Sequence, residues 1–119
     1  KKVTAEDVFN NIPSYIGLKQ ASQAITADGS ATTAVDVTSA VTEINATGGV
    51  HTCAMADGTD GQVKIIINTS TSGTNAITVT PASFSNTNFI LNAKGETAVC
   101  IFKSSKWYVI GGNGVTVTA

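Results

Sequence analysis

His51, Cys53 and Met55 alternate along one short run, and alternation places His51 and Cys53 on the same side of an extended chain. An imidazole beside a thiol is the beginning of a nucleophilic dyad, but thiolate activation also needs a third group that orients the base. His51 is the only histidine in the chain. No serine in a glycine-flanked elbow, phosphate-cradling glycine loop or metal-ligand spacing accompanies it. The pair therefore reads as structural or interfacial, and no catalytic residue is assigned. Asp57 and Asp60 in DGTDG offer carboxylates suited to calcium, yet an EF-hand spaces its ligands differently and closes with a bidentate glutamate. Asp-Gly pairs are ordinary turn formers, so this stretch and Asp28-Gly29 read as turns, with no metal site expected. Glycoside hydrolysis needs two acids facing across a cleft, and the eight acidic residues lie mostly at turns or near the N-terminus. Trp107 and Tyr108 are consecutive, so on a strand they point to opposite faces and cannot form one sugar-stacking platform.

The elements that must position these residues are bounded by composition. The 119 residues make one domain, long enough to bury roughly 65% of its unfolded surface in a single core. Seven basic residues, all lysine, balance the eight acids, and arginine is absent. Phosphate recognition favours dense basic patches and planar guanidinium groups, so nucleic acid is not an expected partner. No apolar run approaches the roughly 20 residues that cross a bilayer, and no membrane partner or cofactor is expected. Cys53 and Cys100 are too few and too far apart for a zinc site or a disulfide framework, and read as buried free thiols.

Residues 3 to 12, VTAEDVFNNI, have the features of a short helix capped by Thr4, with acids in its first turn and Pro13 as its stop. Its apolar stripe of Val8, Phe9 and Ile12, together with Tyr15, Ile16 and Leu18, needs something to dock on. Residues 1 to 20 are accordingly read as an attachment arm that docks on a neighbouring subunit or covers the chain's own β domain, and residues 21 to 119 as the β domain. From Ser22 onward short β-prone pieces are punctuated by turns: SQAITA, TAVDVTS, VTEINA, VHTCAMA, QVKIIIN, AITVT, NFILNA, TAVCIFK, KWYVI and VTVT. The fold class expected is all-β: a small antiparallel sandwich, jelly-roll-like, or a barrel, because no room remains for helical crossovers.

Two stretches set the expected core. In ADGTDGQVKIIIN, Val63, Ile65 and Ile67 are expected to face inward, with Gln62, Lys64, Ile66 and Asn68 outward and Ile66 covered by a neighbouring subunit. Around Lys103-Ser104-Ser105-Lys106, pairing of Phe102 with Trp107 carries on to Cys100 with Val109, so both faces of this hairpin are apolar. Cys100, Phe102, Trp107 and Val109 join the expected core, while Val99, Ile101, Tyr108 and Ile110 need a second cover. Ser-Ser is a poor two-residue turn, so a four-residue loop is expected there.

Residues 41 to 117 carry VTEINATGG, MADGTDGQVKIIIN, NAITVTPASF and FILNAKGETAVCIFKSSKWYVIGGNGVTV. This succession resembles small β-rich virion structural proteins of tailed phages, particularly marine and cyanobacterial ones. The "ADGT-GQ" turn-strand, "VTPA" strand end, "GE/D-x-V" strand and "W-x-(I/V)-x-G-x-G" hairpin of that family match Ala56 to Gln62, Val79 to Ala82, Gly95 to Val99 and Trp107 to Gly114. The resemblance implies a non-enzymatic protein at the virion surface, a capsid decoration or cement protein, commonly a homotrimer bound to the major capsid protein. The alternative it implies is a fibre or spike tip that binds a host glycan through loops such as Ser70 to Asn75 or Ser83 to Asn88. The absence of a collagen-like or heptad stalk favours decoration.

Overall fold

The computed structural model describes residues 3–5, 21–30, 33–71, 73 and 75–119. The expected helix over residues 3 to 12 lies outside the described residues except for Val3, Thr4 and Ala5. The arm residues Val8, Phe9, Ile12, Tyr15, Ile16 and Leu18 also lie outside them.

Ten strands are described: β1 (Ser22–Ala27), β2 (Thr33–Val35), β3 (Val41–Ala46), β4 (His51–Met55), β5 (Val63–Asn68), β6 (Ile77–Pro81), β7 (Asn88–Leu91), β8 (Thr97–Lys103), β9 (Lys106–Asn113) and β10 (Thr116–Thr118). They form two five-stranded sheets, in the order β1-β3-β5-β8-β9 (sheet A) and β10-β7-β6-β4-β2 (sheet B). The sheets pack together as a β-sandwich, and neither closes into a barrel. One core joins Ile44, Ile66, Cys100 and Trp107 of sheet A to Cys53, Met55, Val79, Phe89 and Leu91 of sheet B.

The first six strands alternate between the sheets, each passing a corner before running back. As a result β1, β3 and β5 are parallel neighbours, as are β2, β4 and β6. Ser22, Val41 and Ile65 stack in one column, and Thr33, Cys53 and Val79 in another. The remaining four pairings are antiparallel, so the expectation of a mainly antiparallel sheet is corrected to a mixed one. A parallel neighbour does need a crossover. Here the opposite sheet is the return path, and no helix is required.

Corners leave backbone groups without strand partners, and side chains supply them. Ser70 Oγ accepts from the Ala46 amide at 3.0 Å, and Asn75 Nδ2 donates to the Ala46 carbonyl at 2.8 Å. Asn68, fully buried, donates through Nδ2 to the carbonyls of Asn75 and Leu91 and accepts from the Ser70 amide. The Lys64 ammonium, also fully buried, donates to the Ser39 carbonyl at 2.7 Å and lies 3.4 Å from Asp36 Oδ1.

These partners invert the expected face of β5. Lys64, Ile66 and Asn68 point into the sandwich, whereas Val63 is 44% exposed and Ile65 and Ile67 are half-buried on the outside. Ile66 is a core residue, not a subunit contact. Two alternating frames compete in VKIIIN, and the frame with two polar members lies inside because Asp36, Ser39, Asn75 and Leu91 satisfy them.

The β8–β9 hairpin has the register expected, with Phe102 opposite Trp107 and Cys100 opposite Val109. Cys100, Phe102 and Trp107 are buried and Val109 is half-buried against the core. The connection is a two-residue turn, not a four-residue loop, with Lys103 opposite Lys106 and positive φ at Ser104 and Ser105 (51° and 64°). Asp60 offsets the strain from outside the hairpin, accepting from the Ser104 amide at 2.9 Å and from the Lys103 ammonium.

Candidate functional site

The residues that suggested chemistry are occupied structurally. Nε2 of the half-buried His51 lies 2.6 Å from the Thr47 carbonyl. Cys53 follows it on the same inner face, where burial pushes the thiol up to about 11; burial likewise pushes Cys100 to about 12. Both cysteines are free, buried and protonated at neutral pH, which is the opposite of an activated nucleophile. Asp57 accepts from the Ser83 hydroxyl, and Asp60 is held below the usual carboxylate range, chiefly by its bond from Lys103 and then by the Ser104 amide. The hydroxyl and amide of Ser30 do the same for Asp28. Among the described residues no three His, Cys, Asp or Glu side chains are grouped to hold a metal ion. No helix among them is long and apolar enough to cross a membrane.

Trp107 is fully buried, donates from Nε1 to the Ala56 carbonyl at 2.9 Å and meets Phe102 edge-on at 5.2 Å. Gly58 lies against its ring so closely that a Cβ would come within 2.7 Å. The DGTDG turn is thus pinned both to the indole and to the hairpin turn. The two loops considered for glycan binding also serve the fold: Ser70 and Asn75 close a corner, while Ser83 O and the Ser85 amide pair with the backbone of Trp107.

Among the described residues an apolar surface gathers on the outer face of β5, β8 and β9. Val63, Ile101 and Tyr108 form one cross-strand row, Ile65 and Val99 the next, and Ile67 stands beside Thr97. Tyr108 is 39% exposed and Ile110 59%, while Val99 and Ile101 are half-buried. A bulge between Val99 and Cys100 brings Gly112 over the Thr97 carbonyl, 2.1 Å from where a Cβ would sit, and twists the end of β9. The outer face of sheet B is more polar, bearing Thr52, Thr78, Thr80, Ala34 and Ala54 beside one large apolar side chain, Ile90. A groove of about 550 Å³ at the ends of β2 and β4 is lined by small apolar residues, and its one acid, Asp36, is already engaged by Ser39 and Lys64. The apolar outer face was legible as the second face of the hairpin. Its extension over Val63, Ile65 and Ile67 was missed because those residues were assigned to the core.

No protein-family model matches this chain, and no curated protein matches it.

Proposed function

We propose that this chain is a non-enzymatic structural protein of a virion surface, a capsid decoration or cement module that assembles as a homotrimer. Residues 1 to 20 serve as its arm on the major capsid protein or a neighbouring subunit. The observation that carries the assembly role is the β5–β8–β9 part of the outer face of sheet A, beyond which β3 and β1 turn polar with Glu43, Asn45, Ser22 and Thr26. A sheet face turned to water alternates towards polar residues. This one instead presents Val63, Ile65, Ile67, Val99, Ile101, Tyr108 and Ile110, the kind of contiguous apolar surface that marks a protein contact. The virion setting rests on the resemblance of residues 41 to 117. Burial of the face only in the assembled particle stabilises that particle by mass action.

Light scattering on the full chain at micromolar concentration tests the assembly. The expected mass is a multiple of three chains. Replacing both Tyr108 and Ile110 by lysine is expected to lower that mass with the circular dichroism spectrum retained, since neither side chain belongs to the core. A parent protein that runs as a clean monomer would overturn the reading. Deleting residues 1 to 20 is expected to abolish capsid binding and leave the oligomer intact.

A further inference from the structure

We infer that the free edge of β1 is a second self-contact, at which two copies of this chain pair β1 with β1 antiparallel and join their A sheets into one. The contact is separate from the outer face of sheet A and does not depend on it. An open sheet edge is a template for strand addition, and folds normally blunt it. Three of the four edges here are blunted. Trp107 of β9 is paired on its free side by residues 83 to 85, and β9 also carries Lys106 and a bulge. β10 is three residues long. β2 is equally short, and the Gln23 side chain covers it, donating to the Ala34 carbonyl and accepting from the Asp36 amide.

β1 has none of these devices. It is six residues long, SQAITA, with no charge, proline or bulge, and among the described residues no strand lies beyond it. Its edge groups follow from its pairing. The Ala21 carbonyl accepts from Val41 and the Ala27 carbonyl from Thr47, so the odd residues turn their backbone groups towards β3. By alternation Ser22, Ala24 and Thr26 aim their N–H and C=O groups outward.

The partner is identified by self-complementarity. In a twofold contact each strand meets its own copy, so any charged residue would approach like charge. β1 has none. Continuing the core requires the inward residues Gln23, Ile25 and Ala27 to stand opposite inward residues. The register with Ala24 opposite Ala24 meets this condition. It sets Ser22 opposite Thr26 and Gln23 opposite Ile25, and it engages every outward N–H and C=O of the strand. Only small side chains then meet on the outer face. Because the twofold axis runs through the sheet, the apolar outer faces of both copies lie on the same side of the joined sheet.

Two variants of the full chain test this. Ala24→Cys, treated at micromolar concentration with a short bis-maleimide, is expected to give a covalently linked dimer on a denaturing gel. Thr52→Cys, exposed on the outer face of sheet B, serves as the control and is expected not to. Ala24→Pro removes an N–H that bonds nothing within the sheet, a position where an edge strand tolerates proline. Its solution mass is expected to fall to half that of the parent, with the circular dichroism spectrum retained. An Ala24→Cys cross-link no stronger than the control would overturn the contact, whether residues 1 to 20, another protein or nothing occupies the edge. So would an Ala24→Pro protein that is folded and has the parent mass.

Discussion

The winding half of the sandwich, β1 to β6, and the closing half, β7 to β10, bury different chemistry. Among the described residues the five buried polar ones, Ser39, Thr42, Lys64, Asn68 and Ser70, all belong to the winding half. The closing half is filled by Phe89, Leu91, Ala98, Cys100, Phe102 and Trp107. The difference follows from how each half turns. An antiparallel hairpin returns at once and satisfies its own backbone through a two-residue turn. A parallel coil must cross to the other sheet at each corner, and the backbone it strands there is met by side chains that point inward. Polar side chains buried inside the coil are thus part of its connectivity.

The comparison breaks most sharply at Trp107. Trp107→Ala is expected to cost about 4 kcal/mol in urea denaturation, from lost burial and the cavity left between the sheets. If the winding half carried the stability alone, the loss would be far smaller. In the winding half, Asp36→Ala is expected to cost about 3 kcal/mol, because it leaves the buried Lys64 ammonium with the Ser39 carbonyl but no counter-charge. Asn68→Ala is expected to cost about 2 kcal/mol, since the Ser70 amide and two carbonyls lose their partner together. The smallest effect is in the closing half and has the opposite sign. Ser105→Gly is expected to stabilise by about 0.5 kcal/mol, relieving the positive φ at the hairpin turn.

The pH dependence sharpens the same contrast. Burial works against the charge of Asp36, but the bonds from Ser39 and the nearness of Lys64 outweigh it and hold the folded pKa below 3.8. A depressed carboxylate contributes stability that is present above its unfolded pKa and lost as pH falls through the folded value. Acid unfolding of the parent is therefore expected to steepen below about pH 3.8, and Asp36→Asn to flatten that limb. Lys64 is shifted down from 10.5, mainly by burial against the opposing pull of Asp36. The unfolded chain binds that proton more tightly, so this group adds stability as pH rises towards 10.5.

The closing half was legible because its contacts are local. Cys100 with Val109 and Phe102 with Trp107 follow from the spacing of two runs on either side of a short turn. The strand pieces were also legible, down to SQAITA and VTEINA as β1 and β3. What was not legible was which frame of VKIIIN faces inward, because the groups that satisfy Lys64 and Asn68 come from corners distant in sequence. The winding itself left no trace, since its coils share a path and not a residue pattern. The resulting apolar outer face was accordingly seen only in its β8–β9 portion.

The alternation of strands between sheets also orders events in time. β8 and β9 meet across two residues, so their hairpin forms on a scale of roughly 1–10 μs, whereas β1 reaches β3 only after an excursion through the opposite sheet. We expect nucleation at the β8–β9 hairpin, with β5, then β3, then β1 added to it in turn, and mutational effects on the folding rate concentrated in the hairpin. Synthesis delivers the strands in the reverse order. The ribosome releases the coils first and their template last, so a nascent chain stalled before Thr97 is expected to remain protease-sensitive until the final strands emerge.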